Sequence, residues 1–114
     1  GTGRGRMPHD IRFAPRAAAR LADIATWTVQ HFGTQQADRY AAQLVTRLKA
    51  FADGSAPARP LIRLTGVARH EALMILKAGR HLMILLPEGD GWVVIDILHD
   101  AQDLSSLTFD QEEP

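Results

Sequence analysis

The chain has 114 residues, no cysteine, 46% hydrophobic and 23% charged residues, and a formal charge of zero, a composition that fits one folded domain. Without cysteine, thiol catalysis, thiolate metal ligation and disulfides are excluded. The longest apolar runs, 82–87 and 92–95, fall far short of the roughly 20 residues a membrane-spanning helix needs. The zero charge conceals a division: all 13 basic residues lie at or before Arg80 with five acids among them, so that part carries +8, and 81–114 carries −8. Such a separation speaks to partners rather than to fold.

Residues 1–9 read as a flexible or non-native start, with Met7 a natural initiator, residues 10–109 as a single domain, and 110–114 as an acidic tail. Within the domain, 11–14 is a candidate strand, ended by Pro15, which suits the first turn of a helix. Ala17, Leu21, Ile24, Ala25, Thr28 and Phe32 then recur at three- and four-residue steps, the pattern of an amphipathic helix, and Gly33 stops it. Thr34 is placed to cap a second helix whose stripe is Ala37, Tyr40, Ala41, Leu44, Leu48, Phe51 and Ala52, closed at Gly54. So short a connection forces an antiparallel helical hairpin. Residues 53–60, with Gly54, Pro57 and Pro60, read as loop.

Three extended runs follow, 71–77, 81–86 and 92–98, rich in Val, Ile, Leu and Trp. The turns between them, at 78–79 and 88–91, are short enough to permit only antiparallel neighbours. A short turn or helix is expected at 101–107. The fold class is therefore α+β, in the order strand, antiparallel helical hairpin, three-stranded antiparallel meander, the hairpin covering one face of the sheet in two layers.

A three-residue loop at 89–91 makes the paired residue numbers sum to 180, which sets His81 opposite His99 with Cβ atoms about 5 Å apart. Two imidazoles that titrate near 6.5 can share acid and base roles, with Arg80 adjacent in sequence but on the opposite face of the strand. The alternative is a structural role for both at the end of the sheet. His9, His31 and His70 lack metal-ligand spacing, so neither a metal nor another cofactor is expected. On a helical wheel Trp27 lies near Arg16, Arg20 and Asp23, more than about 90° from the Leu21 stripe, which makes it an aromatic on a charged face. It either meets a partner or is covered by a neighbouring element. Arg16 and Arg20 form a like-charged i, i+4 pair, a mildly unfavourable arrangement that suits a solvated face or an acidic partner segment.

Several of these residues are familiar together. Phe13-Ala-Pro-Arg-Ala-Ala, Asp23-Ile24 with Trp27-Thr28, and Phe32-Gly33 followed by Gln36-Ala37 and Arg39-Tyr40 resemble the ParE branch of the RelE/ParE toxins. Gly79-Arg80-His81, Gly89-Asp90-Gly91, the strand ending Ile97-Leu98-His99, and Asp103-Leu104 extend the resemblance over about residues 11–107. It implies a RelE/ParE-like two-layer fold and the toxin component of a bacterial type II toxin–antitoxin module, acting in the cytoplasm. It also implies a cognate antitoxin whose C-terminal segment wraps the domain, contact with operator DNA only through that antitoxin, and the option of a higher-order toxin–antitoxin complex. The ParE branch implies inhibition of DNA gyrase; the RelE branch implies cleavage of messenger RNA on the ribosome.

RelE-like enzymes work mainly with Lys, Arg and a Tyr near the chain end, whereas here nothing basic follows Arg80 and the one tyrosine is Tyr40, on a helical stripe. The chain is thus expected to inhibit by binding and to have no catalytic residues. The ribonuclease alternative rests on His81, His99 and Arg80, and a third reading is a non-toxic relative that only binds a partner. The family often carries an aromatic–Arg pair on a strand where this chain has Leu85 and Leu86, which either join the core or form an apolar patch for the antitoxin. The resemblance then gives Arg16, Arg20, Trp27, Leu85 and Leu86 as antitoxin-binding residues. It gives Gln102, Leu104 and Leu107 as target-binding residues in the stretch that contributes to toxicity.

Overall fold

The computed structural model describes residues 10–99. The features expected at 1–9, 101–107 and 110–114, and with them Gln102, Leu104 and Leu107, lie outside the described residues. Strand β1 (Ile11–Phe13) leads into helix α1 (Pro15–Phe32), whose first turn holds Pro15 as its fixed φ favours. Gly33, at φ 91°, lets one residue end α1 and begin α2 (Thr34–Ala52). Its N–H bonds the Val29 carbonyl, and its own carbonyl accepts from the Ala37 N–H. Thr34 is therefore the first helical residue of α2 and not its cap; no side chain caps that helix.

Residues 53–60 are not all loop, because Arg59–Pro60 forms a two-residue strand, β2. A proline is tolerated there since β2 lies at the edge of the sheet. A short helix α3 (Ile62–Thr65) and a 3-10 turn (Ala68–His70) follow, then β3 (Met74–Ala78), β4 (His81–Glu88) and β5 (Gly91–Leu98). The sheet is mixed and five-stranded in the order β1-β5-β4-β3-β2. The expected antiparallel meander forms its centre, and β1 adds in parallel to β5, the chain between them running through the helical hairpin to the opposite edge and back across the meander.

The β4–β5 loop is shorter than expected, two residues between Glu88 and Gly91, so near the turn the paired numbers sum to 179. A bulge between Ile84 and Leu85 inserts one extra residue on β5, and beyond it the sum becomes 180, from Ile84↔Asp96 to Leu82↔Leu98. His81 and His99 consequently come together, as expected, but through a bulge and not through a longer turn.

Each face of the sheet has its own core. The helices bury Ala17, Leu44 and Leu48 against Leu76, Met83, Leu85, Val94 and Ile97. On the other face Leu61 and Leu73 cover Ile75, Ile84 and Leu98, with Leu86 partly buried beside them. Leu85 is fully buried under the helices, so its assignment to a docking patch is incorrect: strand alternation turns it inward. Leu86, its neighbour, points to the second face and is half-buried. The α1 stripe is only partly inside, for Ala17 and Thr28 are buried, Leu21 and Ile24 half-buried, and Ala25 and Phe32 exposed.

Candidate partner-binding groove

Where α1 rises from the sheet, a groove of about 770 Å³ opens between that helix, the start of α2 and the ends of β4 and β5. Its floor carries an ionisable group that periodicity did not single out. Asp96 interrupts the aliphatic run of β5 two residues after Val94 of the helix-side core, so strand alternation aims it toward α1. The bulge then keeps Ile97 on the same side, and both line the groove. Its carboxylate, buried among apolar neighbours, accepts from Arg20 Nε at 2.9 Å and from the Ile97 N–H at 2.8 Å, while Arg16 lies 3.8 Å away. The like-charged arginines of α1 thus share one buried counter-ion, which removes the repulsion expected between them. A charged residue inside an otherwise apolar strand was the available signal, since a buried carboxylate requires a partner.

Tyr40 organises the opposite side. Its hydroxyl oxygen accepts the Arg80 N–H at 2.7 Å, and the hydroxyl is hydrogen-bonded to His81 Nδ1 at 2.6 Å. The second bond fixes the orientation of the His81 ring. Gly79 turns at φ 60° directly beneath the tyrosine ring, so the Gly79-Arg80-His81 sequence acts as a cradle for one side chain. The ring of His99 meets that of His81 edge-on, centroids 5.4 Å apart. Burial, then repulsion from His99 and from Arg80, holds the His81 imidazole below its ordinary 6.5.

The sign of the resulting pH dependence follows. The unfolded chain takes up a proton at the ordinary value and the folded chain resists, so stability from this site is complete above pH 6.5. It is lost as the pH falls from 6.5 toward the lowered value of the folded state. The midpoint of urea unfolding is expected to be lower at pH 5 than at pH 7.5, and the drop to shrink in His81→Gln.

The upper wall is aromatic. Trp27 and Phe32 are 49% and 57% exposed. Trp27 stacks on His31 at 4.1 Å between centroids, and His31 Nδ1 is anchored by the Trp27 carbonyl at 2.9 Å. Of the residues singled out from sequence, the groove brings together Arg16, Arg20, Trp27, Arg80, His81 and His99. Leu85 and Leu86 lie away from it, one in the main core and one on the second face. Among the described residues no group of three His, Asp or Glu side chains could hold a metal ion, and no helix is long and apolar enough to cross a membrane.

Comparison with known families decides the relationship. The family of ParE toxins of the type II toxin–antitoxin system parDE matches residues 11–104. The chain belongs to the ParE toxin family. No curated protein matches it in sequence. Among solved structures, the chromosomal ParDE toxin–antitoxin system from P. aeruginosa contains a chain of similar fold, with TM-score 0.64 and 17% identity over 80% of this chain and 95% of that one. The ParE family thus accounts for the α+β architecture and makes the chain a toxin of a type II module. The ParE signature residues at 39–40 and 79–81, remote in sequence, are the two halves of the Tyr40 cradle.

Proposed function

We propose that this ParE-family toxin inhibits DNA gyrase by binding rather than by catalysis, and that a cognate antitoxin neutralises it by docking an acidic, amphipathic segment along α1. Arg16, Arg20 and Trp27 are the antitoxin contacts along α1, Leu86 is one on the far face of the sheet that the antitoxin reaches by wrapping the domain, and Gln102, Leu104 and Leu107 are those on the target side. It acts in the cytoplasm, where gyrase works, and meets operator DNA only through the antitoxin, in a complex that can assemble to higher order. The observation that carries the reading is that the groove's tyrosine and one of its arginines are committed to neighbouring groups. The one tyrosine is tied to Arg80 and His81, and Arg20 to Asp96, so neither is available to stabilise a transferring phosphate.

A gyrase supercoiling assay with purified, folded protein is the test. Loss of supercoiling at micromolar toxin supports the reading; full supercoiling at that excess overturns it. The close approach of His81 and His99 favours a second reading, a ribonuclease using the pair as acid and base. His99 is exposed, so His99→Ala leaves the fold intact and separates the two. Growth inhibition persists under the gyrase reading and is abolished under the ribonuclease reading.

A further inference from the structure

We propose that the outer edge of β3, with the flank of α2 beside it, is a sequence-independent contact surface for the phosphate backbone of duplex DNA. Among the described residues β2 pairs only with Met74 and Ile75, so the rest of that edge has no strand against it. Helix α2 runs along it: Arg47 Nε donates to the Lys77 carbonyl at 3.1 Å, and Tyr40 lies against Gly79. On this flank of α2 Arg39, Gln43 and Arg47 recur at four-residue steps, a row about 12 Å long on one side of the helix. Lys77 and Arg80 continue the row on the strand and the turn after it, and Arg59, paired opposite Ile75, extends it along the edge. Arg39, Arg59, Lys77 and Arg80 are exposed. Among the described residues no carboxylate forms an ion pair with any of these five cations.

Charge selects the partner. Asp38 lies on the opposite side of α2 from Arg47. Asp10, Glu88 and Asp90 gather around the β4–β5 turn, at the other end of β4, about 23 Å from the 78–80 turn. The charge division of the sequence thus persists in space, and the repulsion among the cations is relieved by an external polyanion. Of the large exposed apolar side chains only Val45 belongs to these elements, and it points to the other side of α2 from Arg47, which argues against an apolar protein or lipid partner. The row offers no free aromatic ring for an unpaired base to stack on, because Tyr40 is held by Arg80 and His81. Backbone contact with a duplex requires only cations and amide donors such as Gln43. The proposal goes beyond the gyrase reading and does not depend on it, and it is separate from recognition of the operator, which stays with the antitoxin.

Fluorescence anisotropy of a labelled duplex of random sequence, titrated with the full chain, is the test. Binding in the micromolar range is expected at about 20 mM salt, and log K should fall with log salt at a slope of about −4, as about four to five neutralised phosphates require. Arg39→Gln and Lys77→Gln, both at exposed side chains, should each weaken binding severalfold and reduce the slope by about 1, and together by about 2. Arg12→Gln removes the same charge at the far end of the sheet, where Arg12 pairs with Glu88, and should leave affinity and slope unchanged. Circular dichroism checks the fold of each variant; should Lys77→Gln fail to fold, Arg39→Gln on the helix surface carries the comparison alone. No binding at about 100 μM protein and low salt overturns the proposal, and leaves the cations the role of keeping a free strand edge from pairing with another chain. An effect of Arg12→Gln equal to that of Arg39→Gln reports net charge alone and overturns it too. Tighter binding of the corresponding single strand, or displacement of the duplex by poly-glutamate at equal charge concentration, overturns it in favour of a base-stacking or an acidic-protein partner.

Discussion

Gly79→Ala is expected to destabilise the fold by about 2–4 kcal/mol, a large share of the roughly 5–15 kcal/mol that holds a domain of this size together. Two costs combine. Gly79 has φ 60°, where a Cβ strains the backbone by about 1–2 kcal/mol. The added methyl would also lie 2.6 Å from Cε1 and from the hydroxyl oxygen of Tyr40, an overpacking that typically costs about 1–3 kcal/mol. The ring cannot yield without giving up its bonds to the Arg80 N–H and to His81. Gly89 is the internal control, since it has nearly the same φ of 58° and open space around its Cβ position. Gly89→Ala should therefore show the backbone cost alone. Denaturant titrations of the two variants measure the difference, and equal destabilisation would remove Tyr40 from the explanation. The Tyr40–His81 hydrogen bond should also be lost in Gly79→Ala, visible as a change in the imidazole ¹⁵N shifts.

Leu85→Ala is expected to cost about 3–5 kcal/mol, the range for a leucine truncated in a core that cannot collapse around the gap. Leu85 is fully buried in the cluster formed by Leu44, Leu48, Leu76 and Met83. Leu86→Ala, one residue on and only half-buried on the second face, should cost about 1–2 kcal/mol because less apolar area is returned to water. Thermal or urea unfolding compares them directly, and equal effects would mean that Leu85 is not the core residue it is taken to be. The pair also governs how binding experiments are read. Lost antitoxin binding in Leu85→Ala reports an unfolded toxin, whereas loss in Leu86→Ala with the fold intact reports a contact.

Much of the fold was legible from local pattern. The α1 and α2 stripes, Pro15 and Gly33 mark the hairpin, and the short turns read at 78–79 and 88–91 force antiparallel pairing in the centre of the sheet. The edges were legible only in part. The strand expected at 11–14 is β1, but its parallel partner lies some eighty residues away in sequence, and β2, two residues long, is too short for an alternation to register. The segment 61–73, which covers the second face, lacks a regular period because it changes conformation twice within a few residues.

For the candidate site, the residue types were visible and their couplings were not. Arg16, Arg20 and Trp27 stood out as a charged helix face with an aromatic on it, and His81 faced His99 once the hairpin was drawn. Asp96 escaped notice and Tyr40 was read only as a stripe residue, because each lies in a run whose neighbours are core residues and only the partner across space reveals its role.

By itself, the sequence determined the α+β class, the helical hairpin on an antiparallel meander, and the ParE signature, because each depends on residues near one another along the chain. Only the tertiary structure decided which polar groups neutralise one another. Folding sets Asp96 beneath Arg20, and one inserted residue in β5 shifts the register beyond it, keeping Ile97 on the helix side and bringing His99 beside His81. A bulge is a property of two strands in register, and neither strand encodes it alone.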